Sequence, residues 1–294
     1  MLRSIHDLQE LAVQATDGHI GEVTDLYFDD EGWVIRYLVV KTGTWLSSRK
    51  VLVSPIAIGH PDWTAGALPV SITREQVKNS PDVDTDKPVS RQHEMQHLAY
   101  YGYPNYWGGA GLWGGGYYPG AMLPGMAINP TSAEYLESRA DPLRLEAERA
   151  REQDHADPHL RSCNEVIDYH IHAADGDIGH VHGMLVEDAT WAIRYIIVNT
   201  SNWWLGHEVL IAPEWIDDVY WAESKLNVGL KRETIKGAPA YDSKLPITRE
   251  HEKILHAFYG HRGYWPAEVA QASKTTHDVP LLASDDRATI RSMT

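Results

Sequence analysis

The chain carries a single cysteine, Cys163, in 294 residues, so neither an intramolecular disulfide nor a thiolate metal cluster is available to it. It is also short of positive charge. Twenty-six basic against 41 acidic side chains leave a formal charge of −15, and a sequence-independent grip on nucleic-acid phosphates would work against that net repulsion. No apolar run reaches the roughly 18 residues of a membrane span, and the opening MLRSIHDLQE lacks the apolar core of a secretion signal, so a soluble, cytoplasmic protein is expected. Phenylalanine is scarce, two residues against 11 Trp and 15 Tyr, which favours aromatic rings with a polar edge, suited to half-buried surfaces and interfaces. A nucleophile elbow, a phosphate-binding P-loop and a dinucleotide fingerprint are all missing, and the glycines of residues 108–116 are followed by no Lys-Ser/Thr pair. The reading is non-enzymatic, with no cofactor.

What is present is a repeat. Asp175-Gly176 stands 158 residues after Asp17-Gly18, and the same offset aligns Ile20-Gly21 with Ile178-Gly179, Trp33 with Trp191, Ile35-Arg36-Tyr37 with Ile193-Arg194-Tyr195, and Pro55 with Pro213. It continues through Arg74-Glu75 and Arg232-Glu233 to Tyr106-Trp107 and Tyr264-Trp265. A period this long lies far outside the solenoid range, so each copy is expected to carry its own core. Within a copy, short β-branched and aromatic runs alternate with turn residues. Asp17-Gly18 reads as a hairpin turn, residues 20–28 and 33–40 as strands, and further strands fall near residues 50–54 and 68–72. Ser90 and Thr248 each precede a polar first turn, with Gly102 and Gly260 about ten residues on, which predicts a capped helix at the end of each copy. Between the copies, the glycine-aromatic run over residues 108–125 is too glycine-rich for regular structure, and residues 142–154 read as a solvated helix.

The run from Asp17 to Asp30, with Trp33 to Val40 and Lys50-Val51-Leu52-Val53-Ser54-Pro55, resembles the PRC-barrel family, and copy two repeats it in Asp175 to Val181, Trp191 to Val198 and Glu208 to Pro213. The resemblance implies a small β-barrel of the kind found in the cytoplasmic part of the photosynthetic reaction centre H subunit and in the C-terminal domain of the ribosome maturation factor RimM. It also implies an adaptor that binds proteins, with no shared catalytic residues. The expected fold is therefore mainly β: two small PRC-type barrels in tandem, each followed by a short capped helix. The divisions are residues 1–81 and 161–239 for the barrels, 82–107 and 240–267 for the helices and Tyr-Trp segments, 108–160 for the linker, and 268–294 for a disordered tail.

Several residues are candidates for function. Trp45, Trp203 and Trp204 fall in turn-like segments, and Arg36, Arg194, Trp107 and Trp265 recur in both copies, so these seven are candidate partner-binding anchors. The bland alternative for Arg36 and Arg194 is pairing with neighbouring carboxylates, while Trp33, Ile35 and Tyr37 share one strand face in the core. His170, His172, His180 and His182 lie on the two arms of the second Asp-Gly hairpin. A two-residue turn centred on Asp175-Gly176 sends the two pairs to opposite faces. A three-residue turn brings all four together as a surface for zinc, nickel or copper. His93-Glu94-Met95-Gln96-His97 matches the letters of a zinc-protease helix, but copy two has Leu255 where the second histidine would fall. The function expected is an adaptor for a protein partner at a membrane-associated electron-transfer or ribosomal complex. The alternatives are a metal-binding protein using the copy-two histidines, and an RNA-processing or ribosome maturation factor acting through a basic protein rather than by direct nucleic-acid contact. Oligomeric state is left open.

Overall fold

The computed structural model describes residues 1–81, 89, 91–107, 111–121, 159–200 and 208–265. Ser90, Trp203 and Trp204, the expected helix over residues 142–154 and the tail beyond residue 265 lie outside them. The described part is mainly β, in two sheets with a few short helices. In copy one, β2 (Ala12–Ala15), β3 (Gly18–Asp29), β4 (Val34–Thr42), β5 (Lys50–Val53) and β6 (Ala67–Pro69) form a sheet in the order β5-β4-β3-β2-β6. Copy two repeats this with β8 (His170–Ala173), β9 (Gly176–Glu187), β10 (Ile193–Asn199), β11 (Glu208–Ile211), β12 (Ile216–Tyr220) and β13 (Lys225–Val228), in the order β11-β10-β9-β8-β13-β12. Pairing is antiparallel except where β2 meets β6 and β8 meets β13. Apart from β12, which was not expected, these strands fall close to the β-branched and aromatic runs that predict them.

The hairpin glycines act differently from a plain Asp-Gly turn. Ala15 pairs with Gly18 and Ala173 with Gly176, so the turn residues are Thr16-Asp17 and Ala174-Asp175, and each glycine is the first residue of the return strand. Gly176 sits at φ 137°, with the Arg232 side chain packed where a Cβ would project. Three residues on, a Cβ on Gly21 or Gly179 would lie 2.0 Å from the carbonyl oxygen of Lys41 or Asn199, so the Ile-Gly motif allows a close approach between neighbouring strands.

Each sheet is completed by the other copy. Strand β1 (Leu2–Ser4) pairs with β9, and β7 (Leu160–Ser162) pairs with β3. The registers are equivalent: Arg3 faces Val186 as Arg161 faces Phe28. The short helices that follow, α1 (Ile5–Leu8) and α4 (Cys163–Val166), pack on the same foreign strands. Where the copies meet, Val34 bridges Ala192, its own repeat equivalent. Ile35 N donates to the Trp191 carbonyl (2.8 Å) and Ile193 N to the Trp33 carbonyl (2.7 Å). A residue paired with its counterpart marks a two-fold axis, so the single chain is built like a symmetric dimer that exchanges its first strands. The expectation of a separate core in each copy is corrected by this arrangement. Ile5, Val13, Leu26 and Phe28 of copy one join Val166, Ile178, Met184 and Ile193 of copy two in one continuous buried cluster. A smaller cluster, Tyr27, Tyr37, Val39, Leu52, Val89 and Leu160, lies apart from it.

The remaining helices are α2 (Arg74–Lys78), α3 (Arg91–Tyr101), α5 (Arg232–Lys236) and α6 (Arg249–Tyr259). Thr248 caps α6 by accepting from His251 N, and Gly260 ends it at φ 74°. Residues 111–121 of the glycine-rich run are more ordered than their composition suggests. Bridges Gly111 to Gly114 and Trp113 to Gly116 fold residues 111–116 into a tight hairpin, in which a Cβ on Gly111 would meet the Gly116 carbonyl at 2.3 Å. Its Trp113 is 1% exposed.

Candidate protein-interaction surfaces

The two arginines do not share a regular strand face with their neighbours. Phe28 pairs with Ile35 but Tyr27 with Tyr37, so Arg36 is the extra residue of a β-bulge, and the same shift occurs at Arg194 between Ile193 and Tyr195. The bulge corrects the expectation that Trp33, Ile35 and Tyr37 lie on one face. Trp33 precedes β4 at φ 51°, Ile35 enters the large core, and Tyr37 enters the smaller cluster. Arg36 is buried: Nε donates to Asp29 Oδ2 (2.6 Å), Nη1 to the Leu112 carbonyl (2.7 Å), and the guanidinium lies against the rings of Tyr106 (3.7 Å) and Trp113 (4.7 Å). Arg194 pairs with Glu187 Oε2 at 2.6 Å and lies 3.9 Å over Tyr264. Both arginines thus meet a carboxylate and an aromatic ring of the chain itself.

Behind each arginine the appended helix is pinned by buried polar groups. In copy two, Glu252 Oε1 accepts from the Tyr264 hydroxyl (2.7 Å) and lies 3.1 Å from the Tyr195 hydroxyl, while Glu252 Oε2 meets Arg249 at 2.9 Å. His256 Nδ1 lies 2.9 Å from the Arg262 carbonyl, which can only accept. Nδ1 therefore carries the proton, and Nε2 accepts from the Tyr195 hydroxyl at 2.9 Å. Burial lowers the His256 pKa and raises that of Tyr195 well above the phenol range, so both stay neutral. In copy one, His159 Nε2 lies 2.8 Å from Glu94 Oε2. His97 Nε2 donates to the Leu52 carbonyl (3.1 Å), leaving buried Nδ1 with no hydrogen-bond partner. Desolvation then brings His97 down to about 4. The letters of a zinc-protease helix are therefore spent on helix packing, with His93 exposed and His97 buried.

The other candidate anchors are half-buried. Trp45 donates from Nε1 to the Ile20 carbonyl (2.7 Å) beneath the Arg74 guanidinium (4.2 Å), beside a cleft of about 340 Å³ lined by Asp17, Arg74, Glu75, Lys78 and Asn79. Trp107 packs edge-on against Tyr106, and Trp265 against Tyr264 and His256, with Arg249 at 4.6 Å.

The histidines take neither expected register. Because the turn is Ala174-Asp175 and a bulge follows Ile171, His170 faces His180, whereas His172 faces Asp177 and contacts its Oδ1 from Nδ1 at 2.6 Å. His182 is itself a bulge residue, between Val181 and Gly183, and sits 3.4 Å from Glu208. The bulges disperse the side chains that a four-imidazole site needs on one face. Among the described residues, no group of three or more His, Cys, Asp or Glu side chains is placed to hold a metal ion. Cys163 is buried, and burial raises its thiol pKa well above the usual range.

Large apolar side chains reach solvent elsewhere. Ile254 and Phe258 lie one turn apart on α6, Met95 and Tyr100 stand on α3, and Tyr117 and Tyr118 follow the linker hairpin. Sequence reasoning did not single out these residues. Within α6, the spacing Ile254-Phe258 against inward Glu252, Leu255, His256 and Tyr259 was the signal that would have found the outer face.

Residues 2–63 match the family model of the PRC-barrel domain, a domain of the protein-interaction type. Among curated proteins, an uncharacterized protein of Deinococcus radiodurans is 37% identical over 88 residues, covering 26% of this chain and 31% of that relative. The chain thus spans about a third of the length of the curated relative it matches. Among the described residues, no helix is long and apolar enough to cross a membrane.

Proposed function

We propose that the chain is a non-enzymatic adaptor, in which two PRC-type copies form one pseudo-symmetric body that holds a protein partner. The observation that carries this reading is the reciprocal strand exchange, which fixes two related surfaces in a single chain around one axis. A partner that is itself two-fold, or that carries two similar segments, gains from such an arrangement because the second contact becomes intramolecular. The polar groups that looked chemical in the sequence are engaged within the chain: Arg36 and Arg194 pair with carboxylates of the neighbouring strand, and Glu94 and His97 tie the appended helix to the sheet region. The outward side chains of α3, α6 and the linker supply the contact surface. A formal charge of −15 favours a basic partner, ribosomal or membrane-associated, whose binding weakens as salt rises.

The test is affinity capture from native lysate with the full chain at low and high salt, followed by direct titration of the purified partner. A stoichiometric complex supports the adaptor. Stoichiometric zinc, nickel or copper in the purified chain, lost in His170→Ala and His180→Ala, would overturn it.

A further inference from the structure

The two arginine sites are related by the pseudo-two-fold axis but are not equally covered. At Arg36 the chain supplies its own cover. Trp113 enters between Arg36 and the copy-two turn, its indole Nε1 donating to the Thr190 carbonyl (2.8 Å), and the neighbouring Leu112 carbonyl accepts from Arg36 Nη1. Gly114 lets the loop press on Asn105 and Tyr106, since a Cβ there would fall 2.9 Å from the Asn105 carbonyl. The covered turn is dry: Thr190 is 6% and Trp191 4% exposed.

The equivalent elements at the other site are Arg194, Tyr264 and the copy-one turn at Gly32-Trp33. There Gly32 is exposed and Trp33 half-buried. The Arg194 side chain is 16% exposed against 5% for Arg36, and its Nη1 makes no hydrogen bond among the described residues. The position equivalent to Trp113 is Gln271, and residues 266–294 contain no Trp, Tyr or Phe. Among the described residues, one version of this seat is therefore filled and the other has no such cover, and the filled version displays the chemistry of the occupant.

We propose that the seat formed by Arg194, Tyr264 and the Gly32-Trp33 turn takes a glycine-flanked tryptophan from a partner protein. In the pose copied from Trp113, the indole N–H donates to the Gly32 carbonyl and the preceding backbone carbonyl accepts from Arg194 Nη1. Glycines beside the tryptophan let the backbone lie flat on Tyr264. This proposal deepens the adaptor reading and rests on it for its biological partner, but not for its test.

The probe is a synthetic peptide with the sequence of residues 110–118, AGLWGGGYY, titrated into the full chain by NMR of the tryptophan indole signals. One site is expected in the wild type and a second in Trp113→Ala, where the Arg36 seat is opened. Replacing the peptide's tryptophan by alanine abolishes both, and Arg194→Lys, which keeps the charge but loses the planar fork, weakens the wild-type site about tenfold or more. The proposal is overturned if the wild type shows no saturable shift up to about 5 mM while Trp113→Ala binds one peptide, a result that also follows if another segment of the chain covers Arg194. It is equally overturned if neither protein binds, or if wild-type binding is indifferent to Arg194→Lys. Peptide failure alongside a captured partner rejects this seat and leaves the adaptor reading standing; peptide binding with no captured partner does the reverse.

Discussion

Copy one and copy two place the same residues at equivalent positions of their two sheets and finish them differently. At the bulge, Arg36 and Arg194 each meet a carboxylate and a tyrosine, but among the described residues only the first is sealed by a further hairpin. On the appended helix, the buried histidine moves by one position, from His97 in copy one to His256, which aligns with Leu98. The first donates to a strand carbonyl and the second bonds a tyrosine. The exchanged arms differ as well. Arg161 meets Asp30 at 2.9 Å and covers Trp221, whereas Arg3 reaches Asp188 only at 3.9 Å and covers Trp63. Strand pairing and bulge have been kept in duplicate, and the groups that rest on them have drifted. Side chains in the ladder are constrained from two faces, while those pinning an appended helix need only satisfy each other.

Trp113→Ala attacks this contrast most directly, because it turns the sealed copy into a likeness of the open one. Removing a fully buried indole and uncovering Arg36 is expected to cost about 4 kcal/mol, seen as a lower midpoint in urea, with residues 111–121 losing hydrogen-exchange protection. The two histidines give the next effect. His97 is held neutral at about 4 against 6.5 for the free side chain, because protonating Nδ1 would bury a donor with no acceptor. The unfolded chain binds the extra proton first, so this contribution is complete above pH 6.5 and is lost as pH falls toward 4, by about 3 kcal/mol from His97. His256, also lowered, acts in the same direction. His97→Leu, which copies the aligned Leu255, should flatten the pH dependence of the unfolding free energy over this window, and an unchanged slope would refute the assignment. The smallest effect separates the arms: Arg161→Ala is expected to cost about 1–2 kcal/mol and Arg3→Ala less than about 0.5 kcal/mol, measured by thermal melts of the two variants side by side. Equal losses would mean that the exchange is symmetric in energy as well as in register.

Much of this architecture was legible beforehand. The 158-residue offset, the strand runs, the Ile-Gly motif and the Thr248 cap predict elements that the structure contains, because each depends on local chemistry. The exchange has only a short signal in the sequence: Leu-Arg-Ser occurs at residues 2–4 and again at 160–162, at the same offset. Three residues cannot say which sheet they join. The histidine register differs from both expectations because the Asp-Gly pair is not the turn itself: Gly176 opens the return strand. The arginines read as members of a regular strand because a bulge leaves no mark in a pattern of apolar residues.

The sequence by itself determined that the protein is mainly β, that it is a duplication, and that helices with matching ends follow each copy. Periodicity, turn residues and caps act over a few residues, and their information lies in adjacent letters. Only the tertiary structure decided that the copies interleave around one axis, that Glu94 and Glu252 are buried pins, and that one arginine is sealed by the Trp113 hairpin while the other has no such cover among the described residues. Those outcomes depend on groups more than 50 residues apart in the chain, such as Trp113 and Thr190, and on single-residue bulges that re-aim a side chain. Neither has a local signature, since each arises only when two sheets close on each other and the remaining polar groups find partners across the gap.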